Sequence, residues 1–100
     1  MKIQITSRKF RAKESLKDFI KEEVSSLTKF YDDILEAKVI LSFTHSVESI
    51  KTAEIVLSVP GSVLNVTEES EDFNKSISLA ISKLEKQLKK LKSKKISKER

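Results

Sequence analysis

A chain of 100 residues with 38% hydrophobic content is long enough for one packed core and too short for two. It has no cysteine, which excludes disulfides and thiolate metal sites, and no apolar run approaches the ~18–20 residues of a membrane span. Charged residues make up 35% of the chain and net +5, but unevenly: Lys83 to Arg100 holds nine basic residues against two acidic ones, net +7, leaving −2 over residues 1–82. An excess concentrated in this way suits a polyanionic partner, nucleic acid before acidic membrane. A solvated lysine face that keeps a protein dissolved has the same composition, so charge alone leaves both readings open.

The first residues, MKIQITSRKF, alternate instead of forming the continuous apolar core of a signal peptide; Ile3 and Ile5 mark a short half-buried strand. Ser7 to Arg11 is a basic loop with one aromatic, Phe10. From Lys13 or Glu14 to Phe30 the period becomes helical, with Leu16, Phe19, Ile20, Val24, Leu27, Phe30 and Tyr31 on one arc and Lys13, Lys17 and Lys21 along its flank. The start is poorly marked because Lys13 offers no capping oxygen, and Asp32-Asp33 closes the element. Ala37–Thr44 reads as a strand, His45–Lys51 as a polar connector, and Thr52–Val59 as a second strand with Ala53, Ile55, Leu57 and Val59 inward. Pro60-Gly61, the only Pro and the only Gly, makes a tight turn into a hairpin partner over Ser62–Thr67.

Residues 72–94, DFNKSISLAISKLEKQLKKLKSK, form the last helix. At 100° per residue, Phe73, Ile77, Ala80, Ile81, Leu84, Leu88 and Leu91 share an arc of roughly 120°, with Lys75, Lys83, Lys86, Lys89, Lys90 and Lys94 opposite. Ser70 or Asp72 can cap it, and Glu68, Glu69, Glu71 and Asp72 suit its positive end. The order β-α-β-β-β-α, with one apolar stripe per helix, predicts an α+β fold: a four-stranded sheet with both helices on one face. The first two strands, if adjacent, are parallel. Residues 1–94 are expected to be the single domain and residues 95–100 a basic, disordered tail.

An enzyme has little to stand on here. His45 is the only histidine and falls in a polar connector, the acidic cluster is explained as a helix start, and one glycine cannot make a phosphate loop. No catalytic residue, metal or cofactor is expected. The last helix, by contrast, carries amines every three to four residues on a rigid rod, which suits a phosphate backbone: each Lys neutralises a phosphate, releases counterions and positions without reading sequence. Arg8, Lys9 and Arg11 bracket Phe10, which reads as a core plug more than as a stacking ring.

The element order, the opening IQITSR, the passage VLSVPGSVLNVTEESEDF and above all KLEKQLKKLK resemble the ribosome hibernation-promoting factors, also called ribosome-associated translation inhibitors. The likeness runs from Met1 to about Lys94 and matches the short form of that family, which lacks an additional ribosome-pairing domain. It implies binding to the small ribosomal subunit and its rRNA, in the channel that tRNA and mRNA occupy, by occupancy alone. By position it assigns Arg8, Lys83, Lys86, Gln87, Lys90 and Lys92 to the RNA. Where the family has Tyr after Asp-Met, Asp after Ala-Ile and a capping Thr, this chain has Asn74, Ser78 and Lys13; basic positions of the first helix are Glu23 and Ser26. These departures shift the weight of binding to the last helix and the Arg8–Arg11 loop.

The expected RNA-binding set is therefore Arg8, Lys9, Arg11, Lys17, Lys21, Lys83, Lys86, Gln87, Lys89, Lys90, Lys92 and Lys94. The expected setting is a cytoplasmic protein, monomeric off the ribosome, with no membrane and no small-molecule substrate. The alternative is a non-enzymatic module that docks its basic helix on an acidic protein.

Overall fold

The computed structural model describes residues 1–43 and 50–98, with side chains as far as Ser93. The chain runs β1 (Lys2–Ser7), α1 (Glu14–Ser25), β2 (Glu36–Phe43), β3 (Lys51–Val59), β4 (Ser62–Ser70) and α2 (Phe73–Lys98). The strands form one sheet in chain order, with β1 parallel to β2 and the other neighbours antiparallel. This is the predicted α+β architecture, and its mixed pairing follows from connection length. The helical crossover between β1 and β2 returns the chain in the same direction, whereas the two-residue turn at Pro60-Gly61 reverses it. Gly61 sits at φ +78°, a backbone region open to glycine, beside a proline whose ring holds φ negative.

Register decides which side chains meet the helices. Ile5, Val39, Ile55 and Val66 stand in one cross-strand row, and Ile3, Ala37, Leu57 and Leu64 in the next. Both rows point to the face covered by α1 and α2. There Ile20, Val24 and Leu27 from the first helical segment, and Ile77, Ala80, Ile81, Leu84 and Leu88 from α2, complete the buried core. The other face of the sheet is mixed, with Lys38, Glu54, Asn65 and Thr67 beside Ile40, Val56 and Val63; the Asn65 side-chain amide donates to Glu54 Oε2 at 3.2 Å.

Several boundaries differ from the sequence reading. The first helix is α-helical only to Ser25 and tightens into a 3₁₀ turn over Ser26–Lys29. The Ser26 hydroxyl donates to the Glu23 carbonyl at 2.6 Å and the Thr28 hydroxyl to the Ser25 carbonyl at 2.8 Å, so short side chains compete for the carbonyls that would continue the helix. Lys13 provides no cap, as its chemistry predicts. Residues 44–49, including Thr44 and His45, lie outside the described residues, and Lys51 opens β3 instead of ending a connector.

The larger correction is at β4, which continues to Ser70 because Glu68, Glu69 and Ser70 pair with Ala53, Thr52 and Lys51. Glu68 and Glu69 are thus strand residues, and the first turn of α2 contains no acid. Asp72 alone of the acidic cluster caps that helix, its Oδ1 accepting the backbone N–H of Asn74 at 3.2 Å. Ser70 serves differently. Its hydroxyl accepts the Asp72 amide at 3.2 Å and lies 2.7 Å from that of Ser76, which donates to the Lys51 carbonyl at 2.8 Å. Ser76 is fully buried, so this chain of hydrogen bonds pins the start of α2 to the adjoining ends of β3 and β4. At the other end α2 runs on to Lys98, so residues 95–98 are helical where a tail is expected; lysine propagates a helix readily once its nucleus is paid for.

Candidate nucleic-acid interface

The apolar stripe of α2 lies where the sequence places it. Ile77, Ala80, Ile81, Leu84 and Leu88 are buried, while Phe73 and Leu91 pack on the core from its two ends. Lys75, Lys83, Lys86, Lys89, Lys90 and Lys92 are exposed and Gln87 is half-buried; the side chain of Lys94 lies outside the described residues.

Helical geometry divides these groups. Lys83, Lys86, Gln87 and Lys90 fall within an arc of about 100°, whereas Lys92, nine residues beyond Lys83, is turned by about half a revolution and Lys89 by about a third. The side-chain contacts agree. Lys83 Nζ lies 2.7 Å from Glu68 Oε2, toward β4, and Gln87 and Lys90 border a shallow groove with Ser62 and Leu64. Lys89 turns the other way, its ammonium 4.9 Å from the ring centre of Phe30 beyond α1. Lys86 stands between, on the crest. The lysines form a ridge with two shoulders, and Lys83, Lys86 and Lys90 share the crest and the β4 side.

Glu68 explains the restraint on Lys83. Strand alternation puts Leu64, Val66 and Glu68 on the helix-facing side of β4, so this carboxylate points under α2, its side chain 17% exposed against 58% for Lys83. The sequence reading missed it because the strand was ended at Thr67. Extending the alternation by one step, from Val66 to Glu68, would have found it.

Arg8, Lys9 and Arg11 are exposed, but at the opposite end of α2. The Phe10 ring stacks on Phe73, with centroids 5.2 Å apart and planes 11° from parallel, and meets Phe43 edge-on at 5.3 Å. Phe10 is thus the plug expected, completed by two aromatic partners that the spacing alone did not pair. The loop is held by the Arg8 amide on the Leu41 carbonyl at 2.9 Å and by the Ser7 hydroxyl on the Phe10 carbonyl at 2.8 Å, with Lys9 at φ +64°. Phe73 precedes Lys83 by ten residues, about 15 Å of helix. The twelve expected residues therefore do not form one patch.

Lys17 and Lys21 are on α1, Lys17 half-buried with Nζ 3.9 Å from Glu14 Oε1 and Lys21 exposed. Beside them stand Glu14, Asp18, Glu22 and Glu23, so α1 carries four acids against two lysines. Among the described residues no three His, Asp or Glu side chains group as a metal site would require, and no helix is long and apolar enough to cross a membrane.

Comparison with known proteins places this geometry. Residues 3–96 match the family model described as "Sigma 54 modulation protein / S30EA ribosomal protein". A ribosome hibernation promoting factor of Azotobacter vinelandii is 31% identical over 100 residues, covering 99% of this chain and 90% of the relative. A ribosome hibernation promotion factor of Deinococcus radiodurans is 29% identical over 92 residues, but those span 90% of this chain and only 48% of that protein, so the chain corresponds to about half of it. Two solved structures superimpose closely: the N-terminal domain of Protein Y from Thermus thermophilus, at TM-score 0.81 and 29% identity over 91% of this chain and 99% of that one, and a ribosomal subunit interface protein from Coxiella burnetii, at TM-score 0.84 and 27% identity over 93% and 99%. With a family model covering nearly the whole chain and relatives alike in sequence and fold, the chain belongs to the Sigma 54 modulation protein / S30EA ribosomal protein family.

Proposed function

We propose that this protein is a ribosome hibernation factor: it binds the rRNA of the small ribosomal subunit in the channel used by tRNA and mRNA, blocks translation by occupying it, and stabilises idle ribosomes. The names of its relatives, ribosome hibernation promoting factors and a ribosomal subunit interface protein, support the ribosome as target. The observation that carries the mode of binding is the lysine ridge of α2, which is fixed by the buried stripe beneath it and presents Lys83, Lys86 and Lys90 on one side. Lysines on a rod hold phosphates as point charges, so the contact is insensitive to base identity and sensitive to salt. No step of bond making or breaking is needed; occupancy suffices. Arg8 and Arg11, at the other end of α2, supply a second anchor that fixes direction along the RNA.

Sedimentation with isolated small subunits across a salt series tests this. Binding is expected at low salt and lost at high salt, with a log–log slope of roughly −4 to −7 for five to eight phosphate contacts. Absence of co-sedimentation at low salt overturns the reading, and retention on an acidic protein in place of rRNA favours the docking module instead.

A further inference from the structure

A second feature lies away from the lysine ridge. Where the Phe10–Lys13 loop, the first turn of α1 and the start of α2 converge, there is an open cleft of about 450 Å³. This is within the usual size of a small-ligand pocket. Phe10, Leu16 and Phe73 give it an apolar wall, and the two phenyl rings in that wall are nearly parallel. Arg11 and Lys13 stand on its rim, while Asp72 and Asn74 bring polar groups to the same opening. The Lys9 backbone, in a conformation unusual for a residue with a side chain, and the Ser7–Phe10 hydrogen bond set the turn that carries Phe10 into the wall and Arg11 onto the rim.

We propose that this cleft binds one nucleotide unit, the base against the Phe10, Leu16 and Phe73 wall and the phosphate at Arg11 and Lys13. The chemistry selects this ligand class. An inorganic anion would leave the apolar wall in water, and a neutral aromatic compound would leave the cations that line the cleft, Arg11, Lys13 and Lys51, unused. An aromatic ring that carries a phosphate satisfies both. Asp72 and Asn74 can meet donors and acceptors on the edge of a base, although Asp72 already spends one oxygen on the backbone N–H of Asn74. A free mononucleotide and an unstacked nucleotide of RNA present the same chemistry, and the experiment separates them.

Amide chemical shifts of the full chain are followed during titration with AMP, GMP, CMP and UMP, with inorganic phosphate in parallel. Saturable shifts at Phe10, Arg11, Leu16 and Asn74 are expected, with a Kd on the order of 1 mM. The combined Arg11→Gln and Lys13→Gln change should weaken binding about tenfold or more. Lys38→Gln, which removes a charge from the far face of the sheet, should not. A short unstructured oligoribonucleotide that saturates the same amides more tightly than any monomer assigns the cleft to RNA; tighter binding of the monomer assigns it to a free nucleotide. The proposal is overturned if no monomer or oligonucleotide gives saturable shifts, if inorganic phosphate reproduces them, or if Lys38→Gln weakens binding equally. No ribosome enters this measurement, so its outcome is separate from that of the sedimentation test.

Discussion

The two helices perform the same structural task and carry opposite outer faces. Both lay an apolar stripe on one side of the sheet: Ile20 and Val24 in α1, Ile77, Leu84 and Leu88 in α2. On its solvent side α1 sets four acids against two lysines, whereas α2, among the described side chains, sets six exposed lysines against Glu85. The inner faces are dictated by the sheet they cover, because a polar group there would be left without water. The outer faces are under no such demand and are where a partner is chosen. A fold that needs two helices thus makes only one of them a basic surface.

Reversing the ridge should break this contrast most completely. Lys83→Glu, Lys86→Glu and Lys90→Glu together change the local charge by six units and should abolish small-subunit binding, at least 100-fold by sedimentation, since three phosphate contacts become repulsions. The thermal midpoint should fall only by a few degrees, because the groups are exposed and the one ion pair among them is worth at most about 1 kcal/mol. A collapse of stability would mean that the stripe has been misplaced. One residue along, Leu84→Ala should behave in the opposite way. It should cost ~2–5 kcal/mol in urea unfolding, with binding to small subunits retained for whatever fraction remains folded.

Smaller changes sharpen the comparison. Glu68→Gln releases Lys83 from its partner, so the affinity for small subunits should rise about two- to fivefold, and the salt slope should steepen by up to about one contact. A loss of affinity would show that Glu68 presents Lys83 to the RNA instead of occupying it. Glu22→Lys, on exposed α1, should alter the affinity by less than about twofold at physiological salt, where charges beyond ~8 Å are screened. A tenfold gain would place α1 against the RNA as well.

The legible parts of this fold were those with a period. The stripe of α2 and the inward rows of β2 and β3 could be read directly because alternation and helical spacing are local. The ends of elements were harder. Ser26 and Thr28 stop α1 through hydroxyl bonds to carbonyls, and β4 outlasts its apolar residues because backbone pairing to Lys51 continues regardless of the glutamates it carries. For the candidate site, the identity of the lysines was legible but their partners were not. The division between Lys83 and Lys90 on one shoulder and Lys89 on the other follows from helical angle, yet the partners Glu68 and Phe30 come from distant parts of the chain. The burial of Ser76 follows from the meeting of three elements that no single window of sequence contains.

The hydrogen-bonded anchorage at Ser70 and Ser76 has a mechanical consequence. α2 is about 39 Å long, its last described core contact is Leu91, and it is clamped at its first turn. It is a beam clamped at its root, with exposed lysines as far along it as Lys92. Groups far out on such a beam act before contact: they widen the range of approach angles from which a polyanion draws the molecule in, while the clamped root keeps the beam's orientation fixed relative to the sheet. On the proposed function, lysines farther from the clamp, such as Lys90 and Lys92, are expected to govern how often an encounter succeeds, and Lys83, nearer the clamp, how long it lasts.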